Sequence, residues 1–278
     1  MTLSILGCGW LGLALGRALA RDGHAVRGST TSPDKLGAVE LAGMAPYLVH
    51  LPTRPGEPVR TEPSGFWSAD LLVVTVPPPR GVEDRAAASR AQMAAVAAEG
   101  AAAGTPWVLY TSSTGVYPKR GGAVAETDAA ESPDALRDGG AAVLAAEQAL
   151  RAASGVETTV LRLAGLYGPG RPPGRFLAGR TDLPGGHDPV NLVHRDDIVA
   201  AVQRLVALAP DEPVLRRETF NLCADEHPTR EDFYPAAAQA LGLEPPTFAA
   251  ESGPPGHVVQ NERAKTRLGL RFRPLGYG

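Results

Sequence analysis

Gly7, Gly9 and Gly12 stand at the spacing Gly-x-Gly-x-x-Gly, directly after the apolar run Leu3-Ser4-Ile5-Leu6 and before the Ala/Leu-rich stretch 13–20. This pattern does its chemistry with backbone rather than side chains. A first glycine can turn off a strand with positive φ, and a second lets a pyrophosphate approach the main chain. A third lets the next helix pack close to the sheet. The helix then offers the unpaired N–H groups of its first turn to the phosphates. In this strand–turn–helix context Gly7, Gly9, Trp10, Leu11 and Gly12 read as a dinucleotide cradle. A tight turn in a Gly-rich chain is the plainer alternative, but it leaves the flanking strand and helix unexplained.

The residues after the second strand bear on the ribose. A carboxylate there would bond a 2′-hydroxyl. This chain instead has Gly28-Ser29-Thr30-Thr31-Ser32, with Lys35 three residues on. Hydroxyls and a cation suit a 2′-phosphate, so the residues favour NADP over NAD, with Ser29, Thr30 and Thr31 as candidate contacts. An ordinary capped turn is the alternative.

The elements that must position these groups alternate strand and helix. Strands are expected at 3–6, 25–29, 47–49, 71–76, 107–111 and 158–163, and helices at 10–22, 83–103 and 139–153. Ser32-Pro33 opens a further helix as N-cap and N1. The run Leu71–Val76 is continuously apolar, as a parallel strand buried on both faces must be, and halts at Pro77-Pro78-Pro79. Such alternation predicts an α/β fold, a doubly wound parallel sheet of Rossmann type. Its ligand lies at the carboxyl ends of the strands, which adds Val76, Pro77, Pro78, Ser112, Leu163 and Ala164 to the candidate cofactor contacts. Residues 1–165 form the nucleotide-binding domain, with 190–208 and 217–223 returning to it. Residues 166–278 form a smaller substrate-side lobe. Residues 53–65, 118–134 and 168–189 are read as loops. The second is acidic and solvated, and the third is a lid carrying Arg171, Arg175 and Arg180. Short elements follow: strands at 191–193 and 219–222 and helices at 196–208 and 230–241.

Composition narrows the function classes. The chain has 278 residues, 44 % hydrophobic, ample for a core. No stretch approaches the roughly 18 apolar residues a membrane helix needs, and the N-terminus enters a strand directly, so a cytoplasmic location is expected. A formal charge of −3 supplies no basic field, which argues against a nucleic-acid partner. Cys8 and Cys223 make no disulfide framework and no metal cluster, and Cys8 reads as a small filler inside the loop. Abundant alanine, with only three lysines among 27 basic residues, points to a GC-rich bacterial genome.

Several fragments carry a resemblance. Thr111-Ser112-Ser113-Thr114-Gly115-Val116-Tyr117 is similar to a Ser-Ser-x-x-Val-Tyr stretch, and Leu161-Arg162-Leu163 through Tyr167-Gly168-Pro169-Gly170 to a Leu-Arg…Tyr-Gly-Pro-Gly stretch. Asn191-Leu192-Val193-His194-Arg195-Asp196-Asp197-Ile198 is similar to a His-x-Asp-Asp segment. Phe220-Asn221-Leu222, Asn261 and Leu268-Gly269 also fit. In this order they resemble the extended short-chain dehydrogenase/reductase superfamily, the NAD-dependent epimerase/dehydratase group. The resemblance breaks at the expected Tyr-x-x-x-Lys pair. With Glu147 as the helical glutamate that follows that pair, the tyrosine falls at Gly139 and the lysine at Val143. Segment 118–157 has one lysine, Lys119, and no tyrosine. A phenol with pKa near 10 needs a neighbouring ammonium to serve as a base at neutral pH, and neither Gly nor Val can supply that function. The chain thus resembles an atypical, YeeZ-like branch.

The resemblance implies Ser113 as a group polarising a substrate carbonyl or hydroxyl, with Tyr117 or His194 as proton relays. Each has a plainer reading: a loop serine, a packing tyrosine, a histidine orienting its loop. An NAD(P)-dependent reductase or epimerase acting on a small, anionic molecule is one functional reading. A catalytically silent dinucleotide sensor is the other. The oligomeric state stays open, a homodimer included.

Overall fold

The computed structural model describes residues 1–52, 56–250 and 256–277. The chain runs β1 (Thr2–Leu6), α1 (Trp10–Arg21), β2 (Ala25–Thr30), α2 (Leu36–Leu41), β3 (Ala45–His50), β4 (Arg60–Glu62), β5 (Leu71–Val74), α3 (Arg85–Ala102) and β6 (Trp107–Ser113). It continues β7 (Gly122–Val124), α4 (Asp138–Ala152), β8 (Glu157–Leu163), β9 (Gly165–Tyr167), β10 (Leu192–His194) and α5 (Arg195–Leu208). Last come β11 (Thr219–Leu222), α6 (Arg230–Ala240), β12 (His257–Val259) and α7 (Glu262–Leu268).

Eight strands form one sheet in the order β11-β8-β6-β5-β1-β2-β3-β4. β1 pairs in parallel with β2 on one side and β5 on the other, so the winding reverses at its carboxyl end. A doubly wound sheet opens a ligand crevice at such a point, and Gly7 is the first residue beyond it. The central strands are buried on both faces: Leu3, Ser4 and Ile5 of β1 and all four residues of β5 are sealed from solvent.

The sheet is mixed rather than wholly parallel. Residues 53–65 were expected as loop, and 53–55 lie outside the described residues. Arg60–Glu62 nevertheless add an antiparallel edge strand to β3. The expected 118–134 loop also contains a strand, β7, which pairs with β12. Ser32 precedes only a 3-10 turn, Pro33–Lys35, and its side chain makes no capping bond.

The chain divides into two compact units, one of residues 1–116, 130–162 and 202–219, the other of 117–129, 163–201 and 220–278. The first holds most of the large sheet. The second has two small sheets, β9–β10 and β7–β12, and a core of Tyr167, Val190, Leu192, Phe233 and Ala237. No helix among the described residues is long and apolar enough to cross a membrane.

Candidate functional site

The glycine loop is built as its spacing requires. Gly7 has φ +100°, a conformation L side chains rarely adopt, and a Cβ there would stand 2.8 Å from Val76 Cγ1. A Cβ on Gly12 would lie 2.3 Å from the Gly7 carbonyl oxygen, so the first turn of α1 can sit on the loop only with glycine at that position. At Gly9 the same construction meets nothing within 4 Å. Two positions are closed by protein and the middle one is open. Gly7 N–H donates to Ser29 Oγ at 3.0 Å, Cys8 N–H to Ser29 O at 2.7 Å, and Thr75 Oγ1 to Gly7 O at 2.6 Å, which fixes the turn. Gly9 is the N-cap of α1, with no side-chain cap and no acidic residue in the first turn. The positive end of the helix dipole is thus left for an anion. Trp10 and Leu11 follow in that turn, and Val76, Pro77 and Pro78 leave β5 beside Gly7. Burial pushes the Cys8 thiol up to about 12, so this cysteine is an inert filler.

The hydroxyls at the end of β2 are turned toward the protein. Ser29 is 1 % exposed and holds Gly7, while Thr30 Oγ1 accepts from Ser32 N–H at 3.2 Å. Thr31 and Lys35 are exposed.

At the carboxyl end of β6 the two serines diverge. Ser112 is buried and donates to Glu147 Oε1. Glu147 is gripped by Arg162, Nη2 to Oε2 at 2.8 Å and Nε to Oε1 at 3.1 Å, with both side chains nearly sealed. This buried clamp joins α4 to β8 and β6. Ser113 is half-buried, and its Oγ accepts from Gly115 N–H at 3.1 Å, which leaves its own proton to give. Along α4, Gly139, Val143 and Glu147 follow one another at one-turn intervals. A Cβ on Gly139 would meet nothing within 4 Å, and Val143 is buried. Tyr110 cannot replace the absent phenol. It is 2 % exposed, and burial, then the charge of Glu147, pushes its phenol well above the ordinary value.

In the second unit, Tyr117 is buried and its hydroxyl donates to Asn221 Oδ1 at 2.5 Å. Asn221 is itself sealed and bonded through Nδ2 to Gln260 O and through N–H to Glu126 Oε1. The phenol is therefore built into a polar junction. Glu126 was read as a solvated loop acid, yet its side chain is only 6 % exposed. Leu163 and Ala164 are buried, and Ala164 N–H bonds Leu222 O at 3.0 Å.

His194 ends β10 and opens α5. Its Nδ1 lies 3.2 Å from Asp196 N and 2.9 Å from Arg273 Nη1, and its ring meets Tyr167 edge-on at 5.1 Å. Burial holds the imidazole below its ordinary pKa. Arg273 belongs to the stretch 270–277, which no sequence pattern singled out. Its backbone N–H bonds Asp197 Oδ2 at 3.1 Å, and Tyr167 Oη donates to Pro274 O at 3.3 Å.

Residues 168–189 are fastened rather than loose: Gly179 N–H bonds Glu244 O and Leu183 N–H bonds Thr247 O. Arg230 Nη1 holds Pro184 O. Arg171, Arg175 and Arg180 are exposed on this loop.

A doubly wound sheet with a glycine loop at its switch point defines a nucleotide-binding class. The sequence pattern of the NAD dependent epimerase/dehydratase family matches residues 5–182. The chain belongs to that NAD(P)-binding family. Within it, the chain is 35 % identical over 278 residues to Protein YeeZ of Escherichia coli K12, covering 98 % of this chain and 95 % of YeeZ. A conserved protein of unknown function from Silicibacter pomeroyi DSS is 31 % identical with TM-score 0.72, covering 99 % of this chain and 95 % of that one. UDP-glucuronic acid 4-epimerase from Bacillus cereus, solved with NAD, shares the fold at TM-score 0.74 and 16 % identity, covering 100 % and 95 %.

The expectation of NADP is corrected by these comparisons. Several solved structures of this fold, the Bacillus cereus enzyme and MoeE5 among them, hold NAD. The geometry gives the physical reason. Ser29, counted toward a 2′-phosphate, is 1 % exposed and so closed to a ligand, and Thr30 Oγ1 is turned back to the Ser32 N–H.

Proposed function

We propose that the protein binds NAD along Gly7–Gly12 and acts, slowly, on a small anionic ligand of the sugar-nucleotide class. The observation that carries this reading is the contrast within the loop: closed at Gly7 and Gly12, open at Gly9, with an uncapped helix terminus beyond. That cradle fits a pyrophosphate. NAD, when bound, supplies a hydride acceptor. The chain's own part is to orient it from the loop backbone and to offer the Ser113 proton to a substrate oxygen. Arg171, Arg175 and Arg180 supply cationic charge for the anionic ligand, in keeping with the UDP-sugars held by some structures of the same fold. Positions 139 and 143 carry no phenol and no amine. General acid–base assistance is worth about 10²–10⁴-fold, so turnover is slow by that order.

Calorimetric titration with NAD, followed by incubation of the loaded protein with UDP-glucuronic acid under NMR observation, tests both halves. Absence of NAD binding overturns the reading. Saturable NAD binding with no conversion of any sugar nucleotide supports a second reading, a catalytically silent dinucleotide sensor, which Gly139 and Val143 favour.

A further inference from the structure

We propose that His194 donates a hydrogen bond from Nε2 to the ligand, its tautomer set by Arg273. This rests on the reading above and extends it to a single atom, Nε2. Two donors converge on Nδ1: the Asp196 backbone N–H at 3.2 Å and Arg273 Nη1 at 2.9 Å. A guanidinium cannot accept and a peptide N–H can only donate, so Nδ1 keeps its lone pair. The ring proton therefore sits on Nε2.

The neighbouring acids do not form a relay with the ring. Asp196 Oδ2 is 3.9 Å from Nδ1 but 3.3 Å from Arg273 Nη1, and Asp197 Oδ1 is 3.4 Å from the same nitrogen. Both carboxylates hold the arginine, and the arginine holds the imidazole. The charged and titratable groups around the ring are Arg195, Asp196 and Asp197 of α5, Arg273 and Tyr167 of β9. Burial dominates and lowers the pKa. Asp196 and Asp197 oppose it, and Arg273 and Arg195 reinforce it. The ring is neutral at neutral pH.

Nε2 is open. Among the described residues no protein group bonds it, and it is not among the buried unpaired atoms. The nearest main chain is Gly168, where a Cβ would come within 3.1 Å of Nε2. A fixed, uncharged N–H reached past a glycine suits an acceptor oxygen of a ligand, whether carbonyl, hydroxyl or phosphoryl. It has no lone pair with which to take a proton. His194 thus polarises rather than relays, the use a neutral imidazole of lowered pKa is suited to.

Two variants separate the halves of the side chain. In His194→Asn the amide oxygen stands where Nδ1 stood and still accepts from Asp196 and Arg273, but nothing donates from the Nε2 position. We expect unchanged NAD affinity and a five- to tenfold loss of UDP-glucuronic acid affinity in the NAD-saturated protein, about the net worth of one hydrogen bond. Long-range ¹H–¹⁵N correlation on the full chain should show Nε2–H and a bare Nδ1 at neutral pH. Arg273→Gln should move the titration midpoint of His194 upward, and Arg273→Lys should largely restore it. An Nδ1-protonated ring, an unmoved midpoint in Arg273→Gln, or full UDP-glucuronic acid affinity in His194→Asn overturns the proposal. So does a wild-type protein that binds NAD but not UDP-glucuronic acid. A protein that fails to bind NAD overturns the earlier reading instead, and the tautomer measurement still decides this one.

Discussion

Gly9→Val separates cofactor binding from folding at one residue. Gly9 has φ −84° and ψ −155°, extended backbone that valine tolerates, and its added Cβ meets no protein atom within 4 Å. The cost to the free protein is confined to a poorer N-cap, about 1 kcal/mol, or a fall of roughly 2–4 °C in melting temperature. The cost to a bound pyrophosphate is larger. Its hydrogen bonds to the loop and first turn are charge-assisted, about 1.5–3 kcal/mol each, so displacing two costs about 3–6 kcal/mol, more than a hundredfold in affinity. Calorimetric titration with NAD, paired with a thermal melt, reads both quantities. Gly12→Ala is the counter-case: its Cβ would stand 2.3 Å from Gly7 O, so melting temperature and affinity should fall together. A folded Gly9→Val protein with undiminished NAD affinity would refute the placement of the pyrophosphate.

Glu147→Ala leaves Arg162 buried without its counter-charge and should cost about 3–5 kcal/mol in urea unfolding. Glu147→Gln, which can still bond Ser112 and Arg162, should cost less, and a loss below about 1 kcal/mol for the alanine variant would show that the clamp is not the buried junction described. Replacing Arg171, Arg175 and Arg180 together by Gln should leave NAD affinity intact and abolish UDP-glucuronic acid binding; unaltered binding of the sugar nucleotide returns these residues to a solvent role. Asp128 is held below the usual carboxylate range, first by the Ala125 N–H and then by Arg120. Because its folded pKa lies below the unfolded one, its stabilisation is full above the carboxylate range and vanishes as pH falls through the folded value. The melting gap between wild type and Asp128→Asn should therefore close in acid, and a gap that persists there contradicts the assignment.

What could be read from the sequence was what local pattern encodes. β5 announces itself because all four of its residues, buried on both faces, are apolar, and the glycine spacing dictates the loop after β1. Arg60-Thr61-Glu62 has no such pattern; this edge strand pairs through backbone alone, and Pro and Gly around it suggest a loop. Glu126 looked solvated because its partner, the Asn221 N–H, lies 95 residues away. The misjudged ribose contact has the same origin. No local pattern tells that the Ser29 side chain is buried against Gly7 rather than turned to a ligand. Arg273 carries no motif, and only the folded chain brings it to His194.

That late arrival bears on how the protein is made. The N-terminal strands of the sheet can begin to assemble while synthesis proceeds. The second unit draws on three separated segments, and its acidic helix start at Asp196-Asp197 waits for Arg273, 76 residues beyond Asp197. Until Arg273 leaves the ribosome, His194 lacks one of the two donors that fix its proton. The glycine cradle can thus be complete on a nascent chain whose ligand-polarising imidazole is not yet set, and a chain cut short of Arg273 would stay in that state.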